Sequence, residues 1–286
     1  MSRQEVVYDP DVDIDWNAPW RHDLFAMSPD RVTVYGSRVW SRLGDERQRE
    51  LALQEAVSRW SVAAYLSAML TADHLRQVAL TGLNSTAARD SLHEVGGGAR
   101  SVTTFGKLVR ASGITPYRLP TGSATAVKLL AFLPLGAASN AATLLVEQTV
   151  STAFEDVIGD ETIEPHVRQA MKIHAAESVS RFGYARDQVR RSLAASGPVR
   201  RAYHRVLLAL LANAVLRLTV SPQVYRAVGV SPVRGYLSGR RNRHAARRRD
   251  AEPVVEFLSG VGMLDGALTG VLWRMSGVAP EPEENR

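Results

Sequence analysis

From Asp45 to about Leu80 the apolar residues Leu53, Val57, Trp60, Ala64, Met69 and Leu70 recur at the spacing of one helix face, behind the acidic start Asp45-Glu46-Arg47-Gln48. Similar patterns fill most of the remaining chain. A second helix is predicted over about Thr86–Ala111, where Gly96-Gly97-Gly98 should bend, fray or break it, since each glycine costs about 1 kcal/mol against Ala. A third, over about Ala124–Ile158, carries Pro134, which should kink or split it. Pro165 suits the first turn of a fourth helix, about Glu164–Ser192, and Gly197-Pro198 opens a fifth to about Val220. Ser221-Pro222 and Ser231-Pro232 bracket a short helix. An Arg-rich helix follows, then Pro253–Leu264 and Leu268–Met275. Alternating strand patterns are scarce and no 20–50-residue repeat is visible. These patterns predict an all-α helical bundle with a single domain over residues 31–280. Residues 1–30 read as an extended arm pinned by Trp16 and Trp20, and residues 281–286 as a disordered tail.

The 286 residues, 45 % apolar and 22 % charged, can bury a sizeable core. The net charge of +6 comes mostly from the stretch Arg240–Arg249, which permits an acidic partner without demanding one. The absence of Cys excludes disulfides, Cys-ligated metal and a thiol nucleophile, leaving His, Asp and Glu as the strong metal ligands. The longest apolar runs, Leu129–Ala138 and Val206–Leu216, fall short of the roughly 20 residues that span a bilayer. With no signal-peptide pattern, the expectation is a soluble, cytoplasmic protein that does not engage membrane. GxSxG, P-loop and HExxH motifs are absent.

A helical bundle builds function from polar side chains aimed inward. On the fourth helix Val167, Met171, His174, Ser178, Arg181 and Ala185 share one stripe, with Ser178 and Arg181 within about 40° of His174 around the axis. His174 is either a satisfied core histidine or part of a site. Glu147, inside AATLLVEQTV, is the single carboxylate of an apolar stretch, where an unpartnered charge would cost several kcal/mol.

Several segments together resemble the p-aminobenzoate N-oxygenase (AurF-like) family of di-iron proteins. They are Tyr35-Gly36 with Trp40; Leu92-His93-Glu94-Val95-Gly96 with Arg100 and Phe105; Leu145-Val146-Glu147; Glu164-Pro165-His166-Val167; and Ile173-His174-Ala175-Ala176-Glu177. Val224-Tyr225, Gly229, Phe257-Leu258, Gly262-Met263-Leu264 and Trp273-Arg274 continue the likeness, which covers about residues 30–280. The resemblance implies a ferritin-like bundle, a homodimer, and a di-iron site of four carboxylates and three histidines. Most of those ligands are replaced. Where the family has Glu-x-x-His this chain has Gly98 and Ser101; where it has a Glu and a second His after His174, this chain has Ser178 and Arg181. Glu147 and His174 remain as residual metal-site positions, and Ser67 or Ala68 stands nearest the expected first-helix Glu. Asp90-Ser91-Leu92-His93 offers a substitute only with a register shift, Asp73-His74 lies at the end of the first helix, and Glu177 lies about 100° off the ligand face.

Arg181 cannot deprotonate, so it would repel iron and attract Glu147. A buried Glu147–Arg181 ion pair is therefore expected, with Ser178 and Ser101 completing its hydrogen bonds; the alternative has Arg181 swinging to solvent. The three glycines reflect either decay after metal loss or room for a ligand or a partner's side chain. The Arg run reads as a solvated face or a subunit contact, and a phosphate grip is the lesser reading because no aromatics are interleaved. Three functions follow. The first is a non-catalytic small-molecule-binding or accessory subunit without cofactor, working as a homodimer or beside an intact paralogue. The second is a functional di-iron oxygenase of a biosynthetic pathway, with iron as its cofactor. The third is a nucleic-acid-associated helical protein.

Overall fold

A computed structural model describes residues 10, 13–119, 127–134, 136–218 and 220–278. Its elements are α1 (Asp45–Thr81), α2 (Thr86–Ala111), α3 (Ala137–Ala153), α4 (Pro165–Ala194), α5 (Pro198–Val215), α6 (Pro232–Ser238), α7 (Arg240–Gly260) and α8 (Ala267–Ser276), with short 3-10 turns between them. Among the described residues the sole strand-like pairing is an isolated bridge between Phe25 and Ile163. The protein is all-α. The tail at 281–286 and the first nine residues of the arm lie outside the described residues.

Local sequence explains most of the boundaries. The Ser85 hydroxyl accepts from the Ala88 N–H at the start of α2, and the Glu164 carboxylate accepts from the Val167 N–H at the start of α4, where Pro165 needs no donor. Pro134 separates a 3-10 turn, Leu129–Phe132, from α3, so the third helical stretch is split there.

Two expectations are corrected. Helix α2 runs unbroken through Gly96–Gly98, because α1 and α4 pack along it and fix its backbone. Helix α7 likewise continues through Pro253, joining the Arg-rich stretch to what the sequence reads as a separate helix. A proline inside a helix costs about 3 kcal/mol. Burial of Ala251, Val254, Val255 and Leu258, with the Arg31–Asp250 ion pair at 2.8 Å, offsets that cost on both sides of Pro253.

The buried apolar side chains form two clusters. One gathers around Trp60, Phe105, Ile163 and Tyr225; the other around Leu130, Leu144, Leu208 and Trp273. Along α4 the first cluster ends at Ile173 and the second resumes at Ala185. His174, Ser178 and Arg181 occupy the interval between them, all buried. The arm reaches the first cluster through Trp16 and Trp20, whose rings lie 5.8 Å from His166, with Trp20 edge-on to Trp60. His166 bonds the Glu164 carboxylate at 2.7 Å and the Asp15 carbonyl at 3.0 Å.

Candidate functional site

All six stripe residues of α4, Val167 through Ala185, are buried. Arg181 points inward, and its Nη1 donates to Glu147 Oε1 of α3 at 2.9 Å. The guanidinium also donates to Ser178 Oγ at 3.4 Å and to the Glu177 carbonyl at 3.5 Å, one turn back on its own helix. The Ser178 hydroxyl in turn donates to the His174 carbonyl at 2.6 Å. Burial raises the pKa of the Glu147 carboxyl, and the adjacent Arg181 opposes that rise. His174 is pushed down to about 3, first by burial and then by Arg181, so its ring is neutral at physiological pH. Its Nε2 finds no hydrogen-bond partner among the described residues, and its ring lies 5.4 Å from that of Phe105.

Ser101 is the exception. Its hydroxyl is buried but bonds nothing among the described residues, which corrects the expectation that it would complete the ion pair. Arg181 makes its further hydrogen bonds within its own helix instead, to Ser178 and the Glu177 carbonyl.

The glycines explain how a long guanidinium fits where shorter ligands are expected. A β-carbon on Gly97 would stand 2.7 Å from Arg181 Nη1 and 2.9 Å from Arg181 Cδ. A β-carbon on Gly98 would overlap Thr71 Oγ1 of α1, and Ser67 contributes its backbone carbonyl to the same wall. Around Gly96 only Arg100 Nη1 comes near, at 3.7 Å. The space left by Gly97 is thus filled by Arg181, and that left by Gly98 by the close approach of α1. This packing was not legible beforehand, although three adjacent glycines in a helix already pointed to a crowded neighbour.

The substitutes raised from sequence lie elsewhere. Glu177 pairs with Arg100 at 2.8 Å near the surface, and the exposed His93 packs against Tyr184. The Asp90 side chain is outside the described residues. Asp73 is fully buried, accepting from Ser139 Oγ at 2.6 Å and from Gln77 Nε2 and Arg76 Nη2 at 2.7 Å each, while His74 Nε2 meets Thr143 Oγ1 at 3.2 Å. This polar cluster between α1 and α3 is one that sequence reasoning missed as a unit. Its trace is Asp73 and Gln77 one turn apart, facing a helix that begins with Ser139 and Thr143.

The basic stretch is not simply a solvated face. Arg243 is buried, its guanidinium 3.7 Å over the Tyr236 ring and bonded to the Tyr236 carbonyl, and Arg247 reaches the Ser276 carbonyl. Arg240, Arg241, Arg248 and Arg249 stay exposed.

Long helices here project a carboxylate, a histidine and a guanidinium into one interior layer of an all-α bundle, an architecture consistent with a ferritin-like fold. A family model described as P-aminobenzoate N-oxygenase AurF matches residues 2–262, and the chain belongs to that family. The match takes in the N-terminal arm and stops before Trp273-Arg274. No curated protein matches the chain. The family implies two irons, but the donors here do not fit them. Among the described residues no three His, Cys, Asp or Glu side chains converge. A permanent cation sits within hydrogen-bonding distance of the one carboxylate that would bind metal. Among the same residues no helix is long and apolar enough to cross a membrane.

Proposed function

We propose that the protein is a non-catalytic relative of the di-iron N-oxygenases, holding a small molecule in its bundle or serving as an accessory subunit. The observation that carries this reading is the Arg181–Glu147 contact at 2.9 Å. The guanidinium supplies the positive charge that a buried carboxylate requires, and it does so without redox chemistry.

A ligand site is supported by a cavity of about 60 Å³ between α1, α3 and α5, walled by Val62, Leu66, Val146 and Phe154. Arg59 Nε and Thr149 Oγ1 are buried there with no partner among the described residues. Two unpaired donors beside apolar walls suit a small molecule with an acceptor at one end, such as a carboxylate. The volume takes only a few heavy atoms unless the walls part.

Metal analysis of protein expressed with added iron tests the reading. Well under one iron per chain is expected; about two irons per chain would establish the second reading, a working oxygenase, which family membership favours. For the ligand site, formate and acetate should raise the melting temperature, and the rise should vanish in Arg59→Gln. No response to either of them removes the ligand half of the proposal.

A further inference from the structure

Helix α5 is apolar on two opposite sides. Its inner side, with Leu208, Leu211, Ala212 and Val215, belongs to the cluster around Leu130, Leu144 and Trp273. Its outer side carries Val199, Tyr203, Val206 and Leu210, which at 100° per residue fall within an arc of about 60°. Helix α8 repeats the arrangement. Trp273 turns inward, while Leu268, Val271 and Met275, again within about 60°, turn outward. Val206 is partly buried, and the other six outer residues are between 44 and 84 % exposed. The two helices lie side by side. Asn213 Nδ2 donates to the Leu272 carbonyl and Arg217 Nη2 to the Met275 carbonyl, each at 2.7 Å, and Arg205 reaches Asp265 at 3.4 Å. Both helices rest on the same cluster, so both stripes face outward on one side of the bundle. A helix whose outer side meets water is ordinarily polar there.

The charges carried by these two helices are of one sign. Arg200, Arg201 and Arg205 belong to α5, Arg274 to α8, and Arg217 follows two residues past the end of α5. Neither helix contains Asp or Glu. Asp265, in the turn before α8, offsets one of the five arginines. The chain's last stretch, residues 279–286, carries three Glu and two Pro and no large apolar side chain that could cover the stripes. A surface that is apolar within and anionic at its boundary matches both features at once. We propose that α5 and α8 form a docking face for an anionic lipid surface. The helices lie in its plane, with the two stripes in the acyl boundary and the arginines among the headgroup phosphates. The apolar run Val206–Leu216 is too short to span a bilayer, but a helix lying on one has no such length to meet. Such docking departs from the sequence expectation of no membrane contact and needs no spanning helix. It is independent of whether iron or a small molecule binds in the bundle interior.

Flotation of the full chain with lipid vesicles tests it. Phosphatidylcholine vesicles containing about 30 % phosphatidylserine should carry the protein at low salt, and vesicles of phosphatidylcholine alone should carry far less. The bound fraction should fall as salt is raised without vanishing, because the apolar part of the contact is not screened. Leu210→Glu and Met275→Glu each change an exposed side chain, so each should melt normally while weakening vesicle binding at least about tenfold. Arg274→Glu should weaken binding to the anionic vesicles severalfold. Because the chain has no Cys, a fluorophore on Leu210→Cys reports one position. Its emission should shift to the blue on vesicles, whereas that of a label on Asn17→Cys, in the arm over the other cluster, should not. Absence of binding to anionic vesicles overturns the proposal. So does binding that Leu210→Glu and Met275→Glu leave unchanged, or a label at position 210 that stays in water. A soluble dimer that Leu210→Glu dissociates, with no vesicle binding, also overturns it, in favour of a second copy covering the same face.

Discussion

Two buried carboxylates on neighbouring helices are served very differently. Asp73 accepts three hydrogen bonds, from Ser139, Gln77 and Arg76, all between 2.6 and 2.7 Å. Among the described residues Glu147 has one hydrogen-bond partner, Arg181, and His174, which feels the same guanidinium, leaves its Nε2 unpaired. The Asp73 carboxylate has the saturation that buried polar groups in folded proteins generally reach, while Nδ1 of the adjacent His74 has no partner among the described residues. At Glu147 the charge is balanced by Arg181 through a single contact. The two carboxylates therefore differ in how their burial is offset, the one by a set of three hydrogen bonds and the other by one ion pair.

The comparison breaks most easily at Arg181. Arg181→Ala should cost about 3–5 kcal/mol in urea denaturation by leaving Glu147 buried without its cation. The paired change Glu147→Leu with Arg181→Met should recover nearly all of that, since an apolar replacement of a whole buried pair is often neutral or better. Asp73→Leu should cost about 3 kcal/mol, and adding Arg76→Met should not recover it, because Ser139 and Gln77 still lack an acceptor. Equal recovery in both clusters would erase the distinction.

Smaller effects sharpen it. Gly97→Ala should destabilise by about 1–3 kcal/mol by driving a methyl group into Arg181. The same change in an Arg181→Met background should be milder, because the guanidinium is gone. The His174 ring supplies a pH test. Its folded pKa, about 3, lies below the ordinary histidine value, so the unfolded chain takes up the proton first as pH falls. Its contribution is complete above the unfolded pKa and is lost on acidification from about 6.5 toward 3, at up to about 1.4 kcal/mol per pH unit. Stability measured from pH 7 to 5 should fall less steeply in His174→Gln. Gly96→Ala, whose added methyl would meet Arg100 Nη1 at an ordinary contact distance of 3.7 Å, should stabilise by about 0.5–1 kcal/mol through helix propensity.

The helices were largely legible in the sequence because caps and prolines act locally: Ser85, Glu164-Pro165 and Pro134 each mark a boundary found in the structure. The α4 stripe was legible for a similar reason, since helical periodicity alone puts His174, Ser178 and Arg181 on one face. What escaped depends on partners distant in sequence. Gly96–Gly98 read as a break because propensity says nothing of the α1 and α4 side chains packed against it. Pro253 read as a start because the Arg31–Asp250 pair that helps hold α7 together spans 219 residues. Ser101 stands at a ligand position only by resemblance to the family, and its hydroxyl has no partner among the described residues, because direction on the helix decides what a hydroxyl can reach.

Thr71, standing where a β-carbon of Gly98 would have to go, makes position 98 the least permissive of the three glycines. Its hydroxyl is held by the Ser67 carbonyl at 2.8 Å, so a side chain at 98 requires Thr71 to turn away from that bond or α1 and α2 to part. The closeness of these two helices thus depends on a hydrogen standing where every other amino acid would place carbon.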